Sequence, residues 1–384
     1  MPDDPHVALI IETSKVYGRE LLLGISRYIR HNGPWSTFSM ERGQNDSDPP
    51  WLAKWQGQGI ISRSLDHTLC ERAARRGIPV VSLRHLHERP KFPTFFPDQT
   101  LIGQRIATHL LERGFTSFGY CGVDDEKRWE HLRREAFTAA VAAHGHQIDF
   151  YKPTYFRDFH KNWEREQRLI GQWLQALKKP VGIMASHDSQ GVQLLDACRR
   201  IGAKVPDDVA VVSVDNDPVL CELASPPLSS LDQNVRRIGF EAAAMLHRMM
   251  HGEKVAPENY FFSPGEVVTR LSSDVIAVDD RNLSAAMRFI RKNALGTIDV
   301  AAIAVAAGQS RRSLEKKFTE AFGISPMGKV HEMRLLNLKR LLLETDHPLE
   351  HIAQLSGFEY HEYMSRFFKK RTGTTPGQFR RKNR

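Results

Sequence analysis

The sequence is poor in cysteine. Its 384 residues contain four, Cys70, Cys121, Cys198 and Cys221, far apart and in no CxxC pair. That spacing excludes a disulfide scaffold or a thiolate zinc site, and buried free thiols are the expectation. Long apolar runs are also missing: no stretch of eighteen apolar residues exists, so no membrane-spanning helix is expected. The opening residues lack the basic-then-apolar layout of a secretory signal, and the apolar run 7–11 is too short for one, which points to a cytoplasmic protein. No GxxxxGKS/T, HExxH, GxSxG or GxGxxG motif occurs, and Gly57-Gln58-Gly59 lacks the third glycine. A catalytic function and a cofactor are therefore not expected. His85-Leu86-His87-Glu88 looks like a fragment of a metal site, but its Arg- and Pro-rich flanks suggest an exposed loop and no metal.

Net charge is missing from most of the chain. Residues 283–384 hold 19 Lys+Arg against 9 Asp+Glu, while residues 1–282 hold 35 against 36. The formal charge of +9 therefore resides entirely in the tail. A polyanion-binding domain attached to a domain that does not bind one would leave that footprint.

What is present in the front part is alternation. Short apolar runs at 7–11, 59–61, 80–83, 118–121, 182–185 and 209–214 predict strands. Helical patterns lie between or after them, including 101–113, 129–144, 162–177, 190–201 and 235–251. Such alternation implies parallel sheets with helices on both faces, and 259–270 reads as a closing strand region. Sheets of this kind bind ligands just beyond the carboxyl ends of their strands. The polar groups there are Glu12 to Tyr17, Arg63, His187-Asp188 and Asp215-Asn216-Asp217. Two sheets facing one another would form a cleft.

The tail contains a repeat. Ala304, Gly308, Leu314, Phe318, Gly323 and Pro326 recur as Ala353, Gly357, Met364, Phe368, Gly373 and Pro376, offset by 49 and then 50 residues. Each copy predicts a short helix, a glycine turn and a second helix, the helix-turn-helix pattern. Asp299 and Ser310 are placed to cap helices. Leu314 with Phe318, and Met364 with Phe368, form i,i+4 pairs facing the core of each unit. The opposite face of the second helix offers Arg311, Arg312, Glu315 and Lys316 in one copy, and His361, Glu362, Ser365, Arg366 and Lys369 in the other. Lys316 aligns with Arg366, so both copies present a cation at the same point. A cation there can reach guanine O6/N7, and Glu315 or Glu362 can accept from cytosine N4 or orient a neighbouring arginine. These residues are the candidate DNA contacts, with double-stranded DNA as the partner.

The front part resembles the sugar-sensing core of the lactose/galactose repressor family, which has the periplasmic-binding-protein fold. The resemblance rests on Pro79-Val80-Val81, Asp98 opening a helix, Arg133 ahead of Ala136-Phe137, His187-Asp188, Pro206 through Asp215, and Leu231-Asp232-Gln233. It implies sugar contacts from Arg133, Asp215 and Gln233. Glu12, Tyr17, Trp129 and Asp188 complete the candidate ligand set, with Tyr17 or Trp129 suited to a sugar's apolar face. The tail resembles the arabinose-regulator (AraC/XylS) family through Ile352-Ala353, Gly357-Phe358, Ser365-Arg366, Phe368-Lys369-Lys370, Gly373, Thr375-Pro376 and Phe379-Arg380.

The expected architecture is an α/β two-lobed, periplasmic-binding-protein-like (LacI-type) sensor over 1–274, a linker over 275–282, and an all-α double helix-turn-helix domain over 283–384. Joined in this order the two parts resemble regulators of xylose operons. That resemblance implies D-xylose as effector and activation of pentose-utilisation genes; the resemblance to the sensor family implies a homodimer, and RNA polymerase is a further expected partner. A repressor, a response to another sugar, a sugar-insensitive architectural DNA binder and an enzyme are the alternatives.

Overall fold

The computed structural model describes residues 4–43, 46–64, 66, 68–84, 89–123, 128–153, 159–275 and 280–383. The chain forms two compact units, residues 1–274 and 275–384.

The first unit has two lobes, each built on a six-stranded sheet. In chain order the first lobe supplies β1 (His6–Ile10), α1 (Val16–Asn32), β2 (Ser36–Ser39), a 3-10 turn at Pro50–Lys54, β3 (Gly59–Ser62), α2 (Thr68–Arg75), β4 (Val80–Ser82) and β5 (Thr94–Pro97). The chain then crosses to the second lobe, with α3 (Gln99–Leu111), β6 (Phe118–Cys121), α4 (Arg128–Ala142), β7 (Ile148–Tyr151), α5 (Phe159–Ala176), β8 (Val181–Ala185), α6 (Asp188–Arg200), β9 (Val209–Val214), α7 (Pro218–Leu223) and β10 (Ser229–Leu231). It returns for α8 (Val235–Met250) and β11 (Asn259–Phe262), and crosses once more for β12 (Val267–Val268). The stretch 259–270 is thus two strands in two sheets rather than one closing region. β11 pairs in parallel with β5, and β12 pairs antiparallel with β10.

β6, β8 and β9 are buried along their whole length because helices cover both faces of a parallel sheet. Glycine allows the covering helices to pack closely. A Cβ on Gly24 would lie 2.0 Å from the Arg236 carbonyl oxygen, and one on Gly239 would lie 2.2 Å from that of Leu21, so α1 and α8 touch backbone to backbone. Gly103 does the same for α3 against α4, where a Cβ would meet the Arg133 carbonyl at 2.4 Å. These contacts bring Arg133 to the cleft side of its lobe.

The second unit is helical: α9 (Arg281–Asn293), α10 (Val300–Ala306), α11 (Arg311–Phe322), α12 (Pro326–Glu344), α13 (Leu349–Leu355), α14 (His361–Thr372) and α15 (Pro376–Asn383). Its first helix begins inside the stretch 275–282 expected as linker, because Asp280 caps it by accepting from the Asn282 and Leu283 amides. Two cores divide this unit. Leu314 and Phe318 lie in one with residues of α9 and α10, and Met364 and Phe368 lie in the other with Ile352 and Ala353. The long α12 contributes Val330 to the first and Leu338 to the second. Among the described residues no helix is long and apolar enough to cross a membrane.

Candidate ligand pocket and nucleic-acid interface

A cavity of about 300 Å³ lies between the lobes of the first unit, at the carboxyl ends of their strands. Glu12, Tyr17, Trp129, Arg133, Asp188, Asp215 and Gln233 all line it. The loops after β1 and β9, the first turns of α1 and α6, the N-terminal half of α4 and the crossing from β10 to α8 supply these side chains.

Arg133 is the most connected. It is only 2% exposed, so its guanidinium needs internal acceptors. Nε and Nη2 donate to Gln99 Oε1 at 3.0 and 2.6 Å, Nη1 donates to the Ser186 carbonyl, and Nη2 reaches Gln233 Oε1 at 3.5 Å. The Trp129 ring covers its face, 4.8 Å from Cζ to the ring centroid. Gln233 in turn donates from Nε2 to Asp215 Oδ1, so a glutamine on the crossing between lobes joins the cation to the carboxylate.

Asp215 follows β9 with φ +114°, a left-handed conformation that turns its carboxyl into the cavity. Burial, reinforced by the nearby Asp188 carboxylate, pushes its pKa up to about 7 against the pull of Arg133. Asp188 opens α6 and is 1% exposed. It accepts from the Ser213 and Ser230 hydroxyls and from the Asp217 amide, yet burial still raises its pKa. Asp188 therefore serves mainly to hold the loop that carries Asp215. At the opposite wall Glu12 pairs with Arg63, whose guanidinium lies 4.4 Å from the Tyr17 ring centroid. Burial pushes the Tyr17 phenol up to about 12. Glu12 Oε2 is buried without a hydrogen-bond partner and faces the same cavity. Carboxylates, an amide and guanidinium groups around aromatic faces can fix a ligand with several hydroxyls, each of which donates and accepts.

Gln99 and Ser186, which hold Arg133, and Arg63, which pairs with Glu12, are site residues outside the set expected from the sequence. Asp98 caps α3 and so fixes Gln99 at its first turn. The signal available was its position, directly after an apolar strand and a capping aspartate. His85, His87 and Glu88 lie outside the described residues.

In the second unit the caps form as expected. Asp299 Oδ1 accepts from the Ala302 amide at 2.7 Å and Ser310 Oγ from the Ser313 amide at 3.3 Å. The core pairs are fully buried, which turns the opposite faces of α11 and α14 outward. Arg311, Arg312, Lys316, Glu362, Arg366 and Lys369 are exposed, and Glu315, His361 and Ser365 are half-buried. Glu315 accepts from Arg311 Nε at 3.0 Å, so it orients that arginine. His361 lies 3.4 Å from Glu362. The structure also singles out Arg334 of α12, an unremarked helix residue in the sequence, as a buried guanidinium.

Residues 107–273 match the periplasmic binding protein-like domain, and residues 303–382 match the helix-turn-helix domain. The chain is a DNA-binding transcription regulator that joins a periplasmic binding protein-like domain to a helix-turn-helix domain. It is similar to the Xylose operon regulatory protein of Escherichia coli (strain K12), with 29% identity over 98% of this chain and 96% of that protein. The protein of the same name from Haemophilus influenzae is 29% identical over 97% of both chains. The solved structure of the xylose-binding transcription activator xylR superposes with a TM-score of 0.75 and 27% identity, covering 100% of this chain and 99% of the other. A periplasmic binding protein/LacI transcriptional regulator from Alkaliphilus metalliredigens, complexed with D-xylulofuranose, shares the sensor fold (TM-score 0.56, 21% identity, 70% of this chain and 99% of that one).

Proposed function

We propose that this protein is a D-xylose-dependent activator of pentose-utilisation genes. The observation that carries this reading is the convergence of Glu12, Tyr17, Trp129, Arg133, Asp188, Asp215 and Gln233 on one cavity between the lobes. Similarity to xylose operon regulators along nearly the whole chain supports the choice of sugar. A cavity of about 300 Å³ suits a ligand the size of a single sugar ring. Asp215, Gln233 and Arg133 bond its hydroxyls, and Trp129 or Tyr17 covers an apolar face. The exposed faces of α11 and α14 enter adjacent major-groove segments, where Lys316 and Arg366 reach bases. Lys369, Lys370, Arg371 and the basic C-terminal residues hold phosphates. The protein works in the cytoplasm as a homodimer, contacts RNA polymerase, and carries no catalytic activity.

Sugar bridging the two lobes shifts their closure and thereby the readiness of the DNA-binding units to engage. Coupling of this kind is typically ~1–3 kcal/mol, roughly 5–150-fold in DNA affinity. Fluorescence-anisotropy titration of operator DNA with and without D-xylose measures it; identical affinities would defeat the coupling. Asp215→Ala should abolish D-xylose binding in calorimetry and leave basal DNA affinity intact. Undiminished sugar affinity in that variant would move the site elsewhere.

A further inference from the structure

The two helix-turn-helix units are repeats, so the places where they differ carry information. The same backbone bond closes both turns, from Gln309 N to Ala304 O at 3.0 Å and from Phe358 N to Ala353 O at 2.9 Å. Gln309 and Phe358 are therefore equivalent positions, one polar and one aromatic. The glycines before them differ as well. Both adopt positive φ, +63° at Gly308 and +75° at Gly357. A Cβ on Gly308 would point into open space, whereas one on Gly357 would sit 2.9 Å from the carbonyl carbon and oxygen of Leu295 and 3.0 Å from Arg334 Nε. Glycine in the first turn answers only a backbone requirement. In the second it also admits another segment of chain.

That segment belongs to the other core. Leu295 follows α9, which packs with α10 and α11, and Arg334 lies on α12 midway between Val330 of the first core and Leu338 of the second. The Arg334 side chain is 8% exposed. Its Nε donates to the Ala294 carbonyl at 2.7 Å and its Nη2 to the Gly296 carbonyl at 2.8 Å. Its face lies 5.3 Å from the centroid of the Phe358 ring. One planar cation thus grips the end of α9 with its edge and the turn of the second unit with its face. Lysine, a point charge on a flexible stem, can keep one carbonyl bond but not the planar fork and the stack together.

We propose that Arg334 is a positioning residue that bolts the second helix-turn-helix unit to the first, so that α11 and α14 read DNA as one rigid two-headed element. The proposal rests on the reading that both helices contact DNA, and it is independent of the sugar. Two linked binding modules gain ~10²–10⁴ in affinity only when their geometry lets both engage together. The joint supplies that geometry.

The test uses the full-length chain and a duplex that it enriches from a randomised pool, with the contacted segments mapped by footprinting. Affinity is measured for that duplex, for duplexes retaining either contacted segment alone, and for one with two base pairs inserted between the segments. Arg334→Met should lose about tenfold or more on the intact duplex and less than about twofold on each single segment, because only simultaneous engagement suffers. Its penalty for the insertion should also shrink. Arg334→Lys and Phe358→Leu, each keeping part of the joint, give intermediate values and serve as readouts should Arg334→Met fail to fold by thermal melting. Equal loss on all duplexes, unchanged affinity throughout, or enrichment of only a single contacted segment by the wild-type chain would overturn the proposal.

Discussion

The carboxyl of Asp215 makes a sharp prediction about pH. Its pKa stands near 7 in the folded protein against an ordinary value of 3.8. Between those values the unfolded chain releases the proton while the folded chain keeps it, so this group makes stability fall as pH rises and levels off above about pH 7. Held proton for proton, the rise from 3.8 to about 7 corresponds to ~4 kcal/mol. The residue is only half-buried and opens onto solvent in the cavity, so roughly half of that, ~2 kcal/mol, is the expected contribution. The groups facing it are Asp188, which raises the shift, and Arg133, Arg63 and Gln233, which oppose it.

The perturbation is Asp215→Asn, which keeps the shape and the partner for Gln233 and removes the charge. Urea unfolding of both proteins should be followed at several values between about pH 5 and about pH 8. The comparison must be a difference, because His109 works in the opposite sense. Burial lowers its pKa to about 3, so the stability it contributes falls as pH drops below its ordinary value of 6.5. In the difference His109 cancels. The Asn variant should gain on wild type by about 1–2 kcal/mol from the acid to the alkaline end of the range. A difference that stays constant with pH would refute the claim that Asp215 is held protonated by its surroundings.

Other expectations concern the DNA-binding unit and the helix contacts. Arg366→Ala should weaken binding to the selected duplex by ~1–3 kcal/mol in anisotropy titrations and leave scrambled DNA nearly unaffected if the side chain reads a base. Phe368→Ala empties the second core of the tail and should cost ~3–5 kcal/mol, seen as premature loss of that unit's helicity in thermal melts. Gly239→Ala forces α8 away from the Leu21 carbonyl and should lower the melting temperature of the first unit, whereas Gly252→Ala, with open space but positive φ, should cost about 1–2 kcal/mol.

Legibility in the sequence followed the burial of apolar side chains. β6 and β9 occupy the residues their apolar runs predicted, because strands buried on both faces are written as unbroken hydrophobic stretches. β2, β7 and β10 left no such trace. Every residue of β2, Ser-Thr-Phe-Ser, is exposed at a sheet edge, and β10 is Ser-Ser-Leu, held by hydroxyl bonds to Asp188 and to the Arg270 backbone. In the cleft, the residues at strand ends could be named in advance, since topology dictates where such ends converge. Gln99 could not. Its importance lies in accepting from an arginine 34 residues away, a relation with no local signature. Arg334 was hidden for the same reason, since its spacing on α12 is that of any helix residue and its acceptors are carbonyls from a different segment.

The three crossings between lobes have a consequence for how the protein is made. The second lobe draws α3 through β10 from one continuous stretch, complete but for the short edge strand β12. The first lobe is started by β1 and α1 yet lacks α8 and β11 until far more chain exists. Tyr28 of α1 bonds His247 of α8 across 219 residues, and the β5 edge remains uncovered until β11 arrives. On a chain emerging from its N-terminus, the lobe begun first waits for α8 and β11 until the second lobe is all but complete. Its sheet edge and the apolar face of α1 stay open through synthesis of the whole second lobe. Those surfaces are where a nascent chain of this protein most needs protection from aggregation.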